Sequence, residues 1–246
     1  MDTVVIIPAR YNSKRFPGKV LAELKGRSVL EHVYQRSLQA KLVDQVLIAT
    51  DDKRVYNKVK KFGGRAVMTA VEHQSGTDRL AEVARDLDVE IIVNVQGDEP
   101  LIRPAMIDQA INILKNSKET QMSTLASPIS AVTAQKDDRV KVVLDKNNNA
   151  LYFSRSKIPY YRDVEKLEQK YLQHIGLYVY RRDFLLKYTD LEPTPLEKAE
   201  SLEQLRVLEN GYKIKVGITD HHGPGVDRPE DLKEVSKILE KDGGFN

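Results

Sequence analysis

Short apolar runs alternate along the chain with longer stretches in which apolar residues recur every three or four positions. The first run, VVIIP at residues 4–8, reads as a buried strand. Ser28, followed three residues later by Glu31, has the form of a capping box, and Val29, Leu30, Val33 and Leu38 continue at roughly helical spacing. Residues 45–50 (QVLIAT) form a second strand, and 52–62 a helix closed by Gly63-Gly64. A strand at 65–69, a helix at 77–87 and a strand at 90–95 (EIIVNV) follow. Pro104 then suits the first turn of a helix that runs to residue 115. Strands that alternate with helices at this spacing predict crossover units and a mostly parallel sheet, an α/β fold.

The second half is less regular. Residues 140–144 and 150–154 flank DKNNN, a polar turn, and predict an antiparallel hairpin. A strand at 174–180, a helix at 196–209 closed by Gly211, a strand at 213–219 and a last helix at 227–241 complete the pattern. The polar stretches 116–138 and 156–170 read as the most mobile. With no internal repeat, heptad array or low-complexity linker, the pattern predicts a single domain over 1–246 with a hairpin insertion around 140–155.

Composition narrows the function classes. A net charge of +3 is too small to argue for a nucleic-acid partner, so basic residues matter only where they cluster. The absence of cysteine excludes disulfides, thiolate metal sites and cysteine nucleophiles. No apolar run approaches the length that spans a bilayer, and Asp2 stands where a signal peptide would be basic. A cytoplasmic protein with no membrane partner is expected.

Ligands of open parallel sheets bind beyond the carboxyl ends of the strands. Three polar loops lie there: PARYNSKRFPGK after the first strand, Thr50-Asp51-Asp52 after the second and QGDEP after the fourth. The first carries Arg10, Arg15 and Lys19, which can converge on a polyanion, and Gly18 for a tight turn. It matches neither the P-loop nor the dinucleotide glycine pattern. Asp98 reads either as a turn or cap residue or as a magnesium ligand. Asp227, with Glu230 three residues on, reads by itself as the cap of the last helix. Ser75-Gly76-Thr77-Asp78-Arg79 opens a helix that suits an anion or a base carbonyl. His174 in an apolar strand reads as a hydrogen-bonded core residue, and His221-His222 as loop residues. The residue chemistry thus gives an α/β enzyme that binds polyphosphate and magnesium, with no base or sugar named.

In order along the chain, IIPARYNSKRFPGK, LIATDD, SGTDR, NVQGDEP, LYFSRS, HIGLYVY, SLEQLRVLENG and GVDRPEDL resemble the 3-deoxy-D-manno-octulosonate cytidylyltransferases, or CMP-Kdo synthetases. The resemblance covers nearly the whole chain. It implies a Rossmann-like nucleotide-diphospho-sugar transferase fold, with a mixed, mostly parallel sheet between helix layers and a small hairpin or dimerisation region. It also implies a homodimer that converts CTP and Kdo to CMP-Kdo and pyrophosphate for lipopolysaccharide. By the same resemblance Arg10, Arg15 and Lys19 bind the CTP phosphates, and Pro8, Ala9, Ser75, Arg79 and Gln96 frame the cytosine and ribose. Asp98 and Asp227 hold Mg2+, which reverses the reading of Asp227 as a cap alone. Lys19, Asp98 and Asp227 are the catalytic set, and Arg155, His174, Tyr178, Glu203 and Gln204 hold the sugar acid. Lys157 and Arg228 depart from the family pattern, where proline and threonine are usual. The alternatives are a CMP-sialate synthetase, which shares the first loop, a cytidylyltransferase for an amino-substituted Kdo, and a non-catalytic nucleotide-binding regulator.

Overall fold

The structure is a computed structural model that describes residues 2–13, 15–73, 75–163, 168–220 and 223–241. In chain order the elements are β1 (Thr3–Pro8), a 3-10 turn (Lys19–Leu21), β2 (Glu23–Leu24), β3 (Arg27–Ser28), α1 (Val29–Leu38), β4 (Gln45–Thr50), α2 (Lys53–Lys61), β5 (Ala66–Met68), α3 (Gly76–Arg85) and β6 (Ile91–Asn94). There follow α4 (Pro104–Lys115), β7 (Met122–Ile129), a second 3-10 turn (Thr133–Gln135), β8 (Lys141–Leu144), β9 (Ala150–Ser154) and β10 (Tyr171–Arg181). The chain ends with α5 (Arg182–Thr189), α6 (Pro195–Glu200), α7 (Gln204–Glu209), β11 (Ile214–Ile218) and α8 (Asp231–Lys241). These elements gather into two compact units, Met1–Asp108 with His222–Asn246, and Gln109–His221.

In the first unit β6, β1, β4 and β5 lie side by side in that order, all parallel. Val4, Val5, Ile6 and Ile7 are all fully buried, so both faces of β1 are covered, as expected for a parallel sheet flanked by helices. The chain runs from β1 to β4 on one side and returns through β6 on the other. Strand order therefore reverses between β1 and β6, the kind of switch point at which open parallel sheets bind ligands. Helices α1, α2 and α3 each start on a sequence-encoded cap. The Ser28 hydroxyl accepts from Glu31 N at 3.3 Å, Asp52 from Arg54 N at 2.8 Å, and Ser75 and Asp78 form a reciprocal box.

In the second unit β7 pairs in parallel with β11 and antiparallel with β10. The β8–β9 hairpin joins β10 at the pair Gln173 and Lys141. Its turn is built by Asp145, whose carboxylate accepts from Asn147 N, Asn149 N and Asn149 Nδ2, each at 2.8 Å.

Four expectations change. The segment 122–129, read as part of a mobile polar stretch, is instead β7, at the centre of its unit. Its hydroxyls hide it in the sequence, yet they are satisfied internally, as where Ser123 Oγ donates to Ala110 O at 2.8 Å. Helix α5 was not expected. The single helix at 196–209 is two, because Ser201 takes a left-handed conformation (φ 52°) and the chain restarts at Gln204. The last helix starts at Asp231 rather than Asp227. The Asp231 carboxylate instead fixes the turn before the helix, accepting from Asp227 N at 2.8 Å and Arg228 N at 2.7 Å.

The break between α6 and α7 is held by Arg206, which binds Glu197 through Nε (2.8 Å) and Nη2 (2.5 Å). Their side chains are only 13% and 9% exposed, and Glu197 holds the Arg206 guanidinium above its ordinary pKa. Arg206→Met leaves a buried carboxylate unpaired and is expected to cost about 3–5 kcal/mol in urea unfolding. A loss below about 1 kcal/mol would mean that the pair is solvated.

Candidate active site

The first unit's site grows from the end of β1. Ala9 is fully buried and donates its N–H to Ala49 O at 2.9 Å. Pro8 precedes it at the strand end, and Arg10 Nη2 donates to His73 O at 2.8 Å. The loop then doubles back, with Gly18 N donating to Tyr11 O at 2.7 Å. Gly18 needs to be glycine twice over. Its φ is +74°, and a Cβ there would lie 3.1 Å from two carbons of the Tyr11 ring. Arg54 covers that ring, its guanidinium carbon 3.4 Å from the centroid.

This turn delivers Lys19 to two carboxylates. Its Nζ binds Asp98, at short range, and Asp227 Oδ1 at 3.0 Å, while Arg15 Nη2 also meets Asp227 Oδ1 at 3.0 Å. The backbone explains why the two aspartates meet. Val226 N donates to Asp98 O at 2.8 Å, so the residues after β6 and before α8 are clipped together. Gly225 permits the approach, since a Cβ on it would stand 3.2 Å from Asp98 O and 3.1 Å from Glu99 Oε1. Val226 anchors the clip in an apolar cluster with Leu24, Val29, Leu101, Val235 and Leu239. Gly97 does the same for β1, where a Cβ would come within 3.0 Å of Pro8 O. Burial alone would pull the Lys19 ammonium down, but the charges of Asp98 and Asp227 and the bonds to them outweigh it, and its pKa is raised. Lys19 is therefore a fixed cation. Among the described residues no three His, Cys, Asp or Glu side chains gather as a metal site. The protein donors available to a metal here are the two carboxylates, a hard-oxygen pair of the kind that magnesium uses alongside phosphate and water.

The set expected around the base divides in two. Ser75 caps α3, and Gln96 Nε2 donates to Asn94 Oδ1 at 3.1 Å. Arg79 is fully buried and braces the site instead, with Nη2 on Asp51 Oδ2 at 2.9 Å and Nη1 on Thr69 Oγ1 and Ala70 O. Asp51, from the second polar loop, is thus its ion partner, and Asp52 is the cap of α2.

The expected sugar residues all lie in the second unit. Arg155 donates through Nε to Glu200 O (2.8 Å), Nη1 to Asp137 O (3.3 Å) and Nη2 to Ser201 O (3.4 Å). One N–H on each Nη is left for an anion among the described residues. Glu200 fixes the backbone beneath it, accepting from Arg155 N at 2.9 Å and Ser154 Oγ at 2.6 Å. His174 is buried, and its Nε2 lies 3.0 Å from Thr124 Oγ1. Its ring packs edge-on to Phe153 and tilted against Tyr178. Burial, with the nearby Tyr180 and Glu203, pushes the Tyr178 phenol far above its ordinary pKa, so it remains a neutral donor. Glu203 stands at the start of α7 beside the buried Gln204, and its carbonyl accepts from Tyr188 OH at 2.7 Å.

The cytidylyltransferase family model matches residues 4–214. The chain is 51% identical to the 3-deoxy-manno-octulosonate cytidylyltransferase of Geobacter metallireducens over 98% of its own length and 99% of that protein's. It is 53% identical to that of Geotalea uraniireducens, over 98% and 100%. A solved CMP:2-keto-3-deoxy-manno-octonic acid synthetase complexed with CTP matches with a TM-score of 0.94 at 44% identity, covering 98% of this chain and 100% of that one. The chain belongs to the 3-deoxy-manno-octulosonate cytidylyltransferase family. A 4-diphosphocytidyl-2C-methyl-D-erythritol synthase from Anaerococcus prevotii, 16% identical with a TM-score of 0.63, shares the fold. The mixed, mostly parallel nucleotidyltransferase sheet is the one expected for the family.

The sequence did not single out Val226, Thr124, Lys141 or Glu200. Only Gly225, beside Val226 in a Gly/Pro-rich stretch, signalled a close backbone approach. His221 and His222 lie outside the described residues. Burial pushes the Glu200 carboxyl up, but the bonds from Arg155 N and Ser154 Oγ outweigh it, and its pKa is lowered from the usual 4.5. A lowered carboxylate stabilises the fold above its unfolded pKa, and that contribution fades as pH falls through the folded value. Glu200→Gln is therefore expected to melt below the parent at pH 7, with the gap closing as pH drops below 4.5. A gap that stays constant with pH in thermal melts would show that the carboxylate charge is not what holds Arg155.

Proposed function

We propose that the protein joins the cytidylyl group of CTP to the anomeric hydroxyl of Kdo and releases pyrophosphate, supplying activated Kdo for lipopolysaccharide. The observation that carries this is the meeting of Arg15, Lys19, Asp98 and Asp227 at the switch point of a parallel sheet, in a chain of this family. In the reaction the sugar oxygen forms a bond to the α-phosphorus, the bond from that phosphorus to the β-phosphate oxygen breaks with its electron pair leaving on pyrophosphate, and the hydroxyl proton passes to solvent. Charge is the main obstacle, because an anionic sugar meets an anionic triphosphate. Arg10, Arg15 and Lys19 offset it, with Lys19 held protonated. Arg155 keeps donors for the sugar carboxylate, and His174, Tyr178, Glu203 and Gln204 orient the hydroxyls.

The hard-oxygen pair fits magnesium, and Asp98 and Asp227 would hold it. When bound, the ion supplies neutralisation of the leaving pyrophosphate and acidifies the attacking hydroxyl. In this reading the cations that now hold the two carboxylates are free to take the phosphates. A nucleotide-binding regulator has no need for both carboxylates. A sialate synthetase shares the first loop and is separated by its acceptor. The same reading makes the protein a cytoplasmic homodimer, an expectation that rests on the family resemblance. No described helix is long and apolar enough to cross a membrane.

Pyrophosphate release from CTP and magnesium is expected with Kdo and not with sialic acid. Asp98→Asn should lower kcat by about 100-fold or more without lowering Tm. Turnover within about threefold of the parent at ordinary magnesium would remove Asp98 from this role. CTP binding without turnover on either acceptor would favour the regulator.

A further inference from the structure

Thr124, in the middle of β7, is fully buried. Opposite it β10 is irregular. Ile175 pairs with Leu125 and Tyr178 with Thr124, so β10 carries two extra residues, Gly176 and Leu177. Bulges re-aim the side chains that flank them, and here those are His174 and Tyr178. Thr124 Oγ1 sits within this irregularity, 2.7 Å from Leu177 O, 3.1 Å from Ile175 O and 3.0 Å from His174 Nε2.

A hydroxyl has one proton to give and lone pairs to receive. Both carbonyls can only accept, and Leu177 O is the nearest of the three partners, so the proton goes to the carbonyls. Thr124 Oγ1 can then meet the imidazole only as an acceptor, which puts the ring hydrogen on Nε2. In the neutral ring Nδ1 carries the lone pair. The His174 backbone is fixed as well, its N–H donating to Val140 O at 2.8 Å. Phe153 and Tyr178 hold the ring, with centroids 4.9 and 5.2 Å away.

We infer that Thr124 is a positioning residue for the sugar acid: its hydroxyl holds the β10 bulge and accepts from His174 Nε2–H, which fixes the direction of the ring. The inference rests on the reading that His174 serves the sugar.

The test uses the full chain with 15N-labelled histidine. Nitrogen shifts of His174, assigned by comparison with His174→Ala, are expected to report Nε2–H. Thr124→Val keeps the shape and removes the hydroxyl. It should lose that signature and raise KM for Kdo by about tenfold, with KM for CTP unchanged, and Thr124→Ser should restore both. An Nδ1–H signature in the parent protein overturns the inference, and does so even if Thr124→Val fails to fold. So does an unchanged KM for Kdo in Thr124→Val, or an equal rise in KM for CTP. His174→Ala with an unaltered KM for Kdo would refute the sugar role of the ring. Absence of turnover with Kdo in the parent would refute the functional reading, whereas an Nε2–H signature would still uphold the Thr124–His174 geometry.

Discussion

Two carboxylates share one ammonium, and the architecture of the first unit serves that contact. Asp98 and Asp227 lie 79 and 208 residues from Lys19 in sequence, so three distant segments must arrive within one hydrogen bond of each other. Side chains as long as lysine do not fix such a meeting by themselves. The backbone does, through the turn locked at Gly18 and the clip from Val226 N to Asp98 O. The aspartates would repel one another without a cation between them, and Lys19, with a side chain only 14% exposed, supplies it at reduced screening. The cluster is balanced by two cations, Arg15 and Lys19, against two anions. Under the proposed function, charges of both signs would replace these internal pairs together.

The second unit solves a different problem, that of keeping polar groups ordered inside a folded core. Lys141 is fully buried, and its ammonium donates to Lys136 O at 2.7 Å and to Arg139 O and Arg155 O at 2.5 Å. Burial lowers its pKa despite the nearby Asp137, Asp138 and Glu200, yet all three of its donors have acceptors. Arg155 is thus held from both ends, with its carbonyl on Lys141 and its guanidinium on the carbonyls of residues 137, 200 and 201. A guanidinium so braced has little side-chain freedom left to lose on binding a ligand.

These two designs explain what could be read in the sequence. The parallel half was legible because its strands are apolar on both faces and its helices start on Ser28, Asp52 and Ser75, caps whose chemistry is local. The hairpin was legible for the same reason, since Asp145 and its asparagines make the turn by themselves. Strand β7 was not, because MSTLASPI carries hydroxyls whose partners lie on other elements, and a residue paired at long range looks solvent-facing in one dimension. The left-handed Ser201 was hidden too, since a serine, unlike a glycine, does not announce a positive φ. At the site the residue types were visible but their partners were not. Asp227 looked like a helix cap because Glu230 stands three residues on, yet the α-helix begins only at Asp231, and the Asp227 carboxylate meets Lys19 and Arg15. Arg79, expected near the base, is a buried brace on Asp51.

The two departures from the family pattern bear on which sugar acid is used. Lys157 places its ammonium 4.8 Å from the centre of the Tyr171 ring, a cation–π contact within its own unit. Arg228 is 62% exposed and lies 4.0 Å from Glu230, a surface pair of small energetic weight. Each has a local partner that accounts for its charge. An amino-substituted sugar would bring an ammonium of its own, and recognition of an ammonium calls for a carboxylate or a carbonyl that is not already engaged. Replacing proline and threonine with lysine and arginine supplies the opposite sign. The local partners of Lys157 and Arg228 therefore account for both departures without any change of sugar acid.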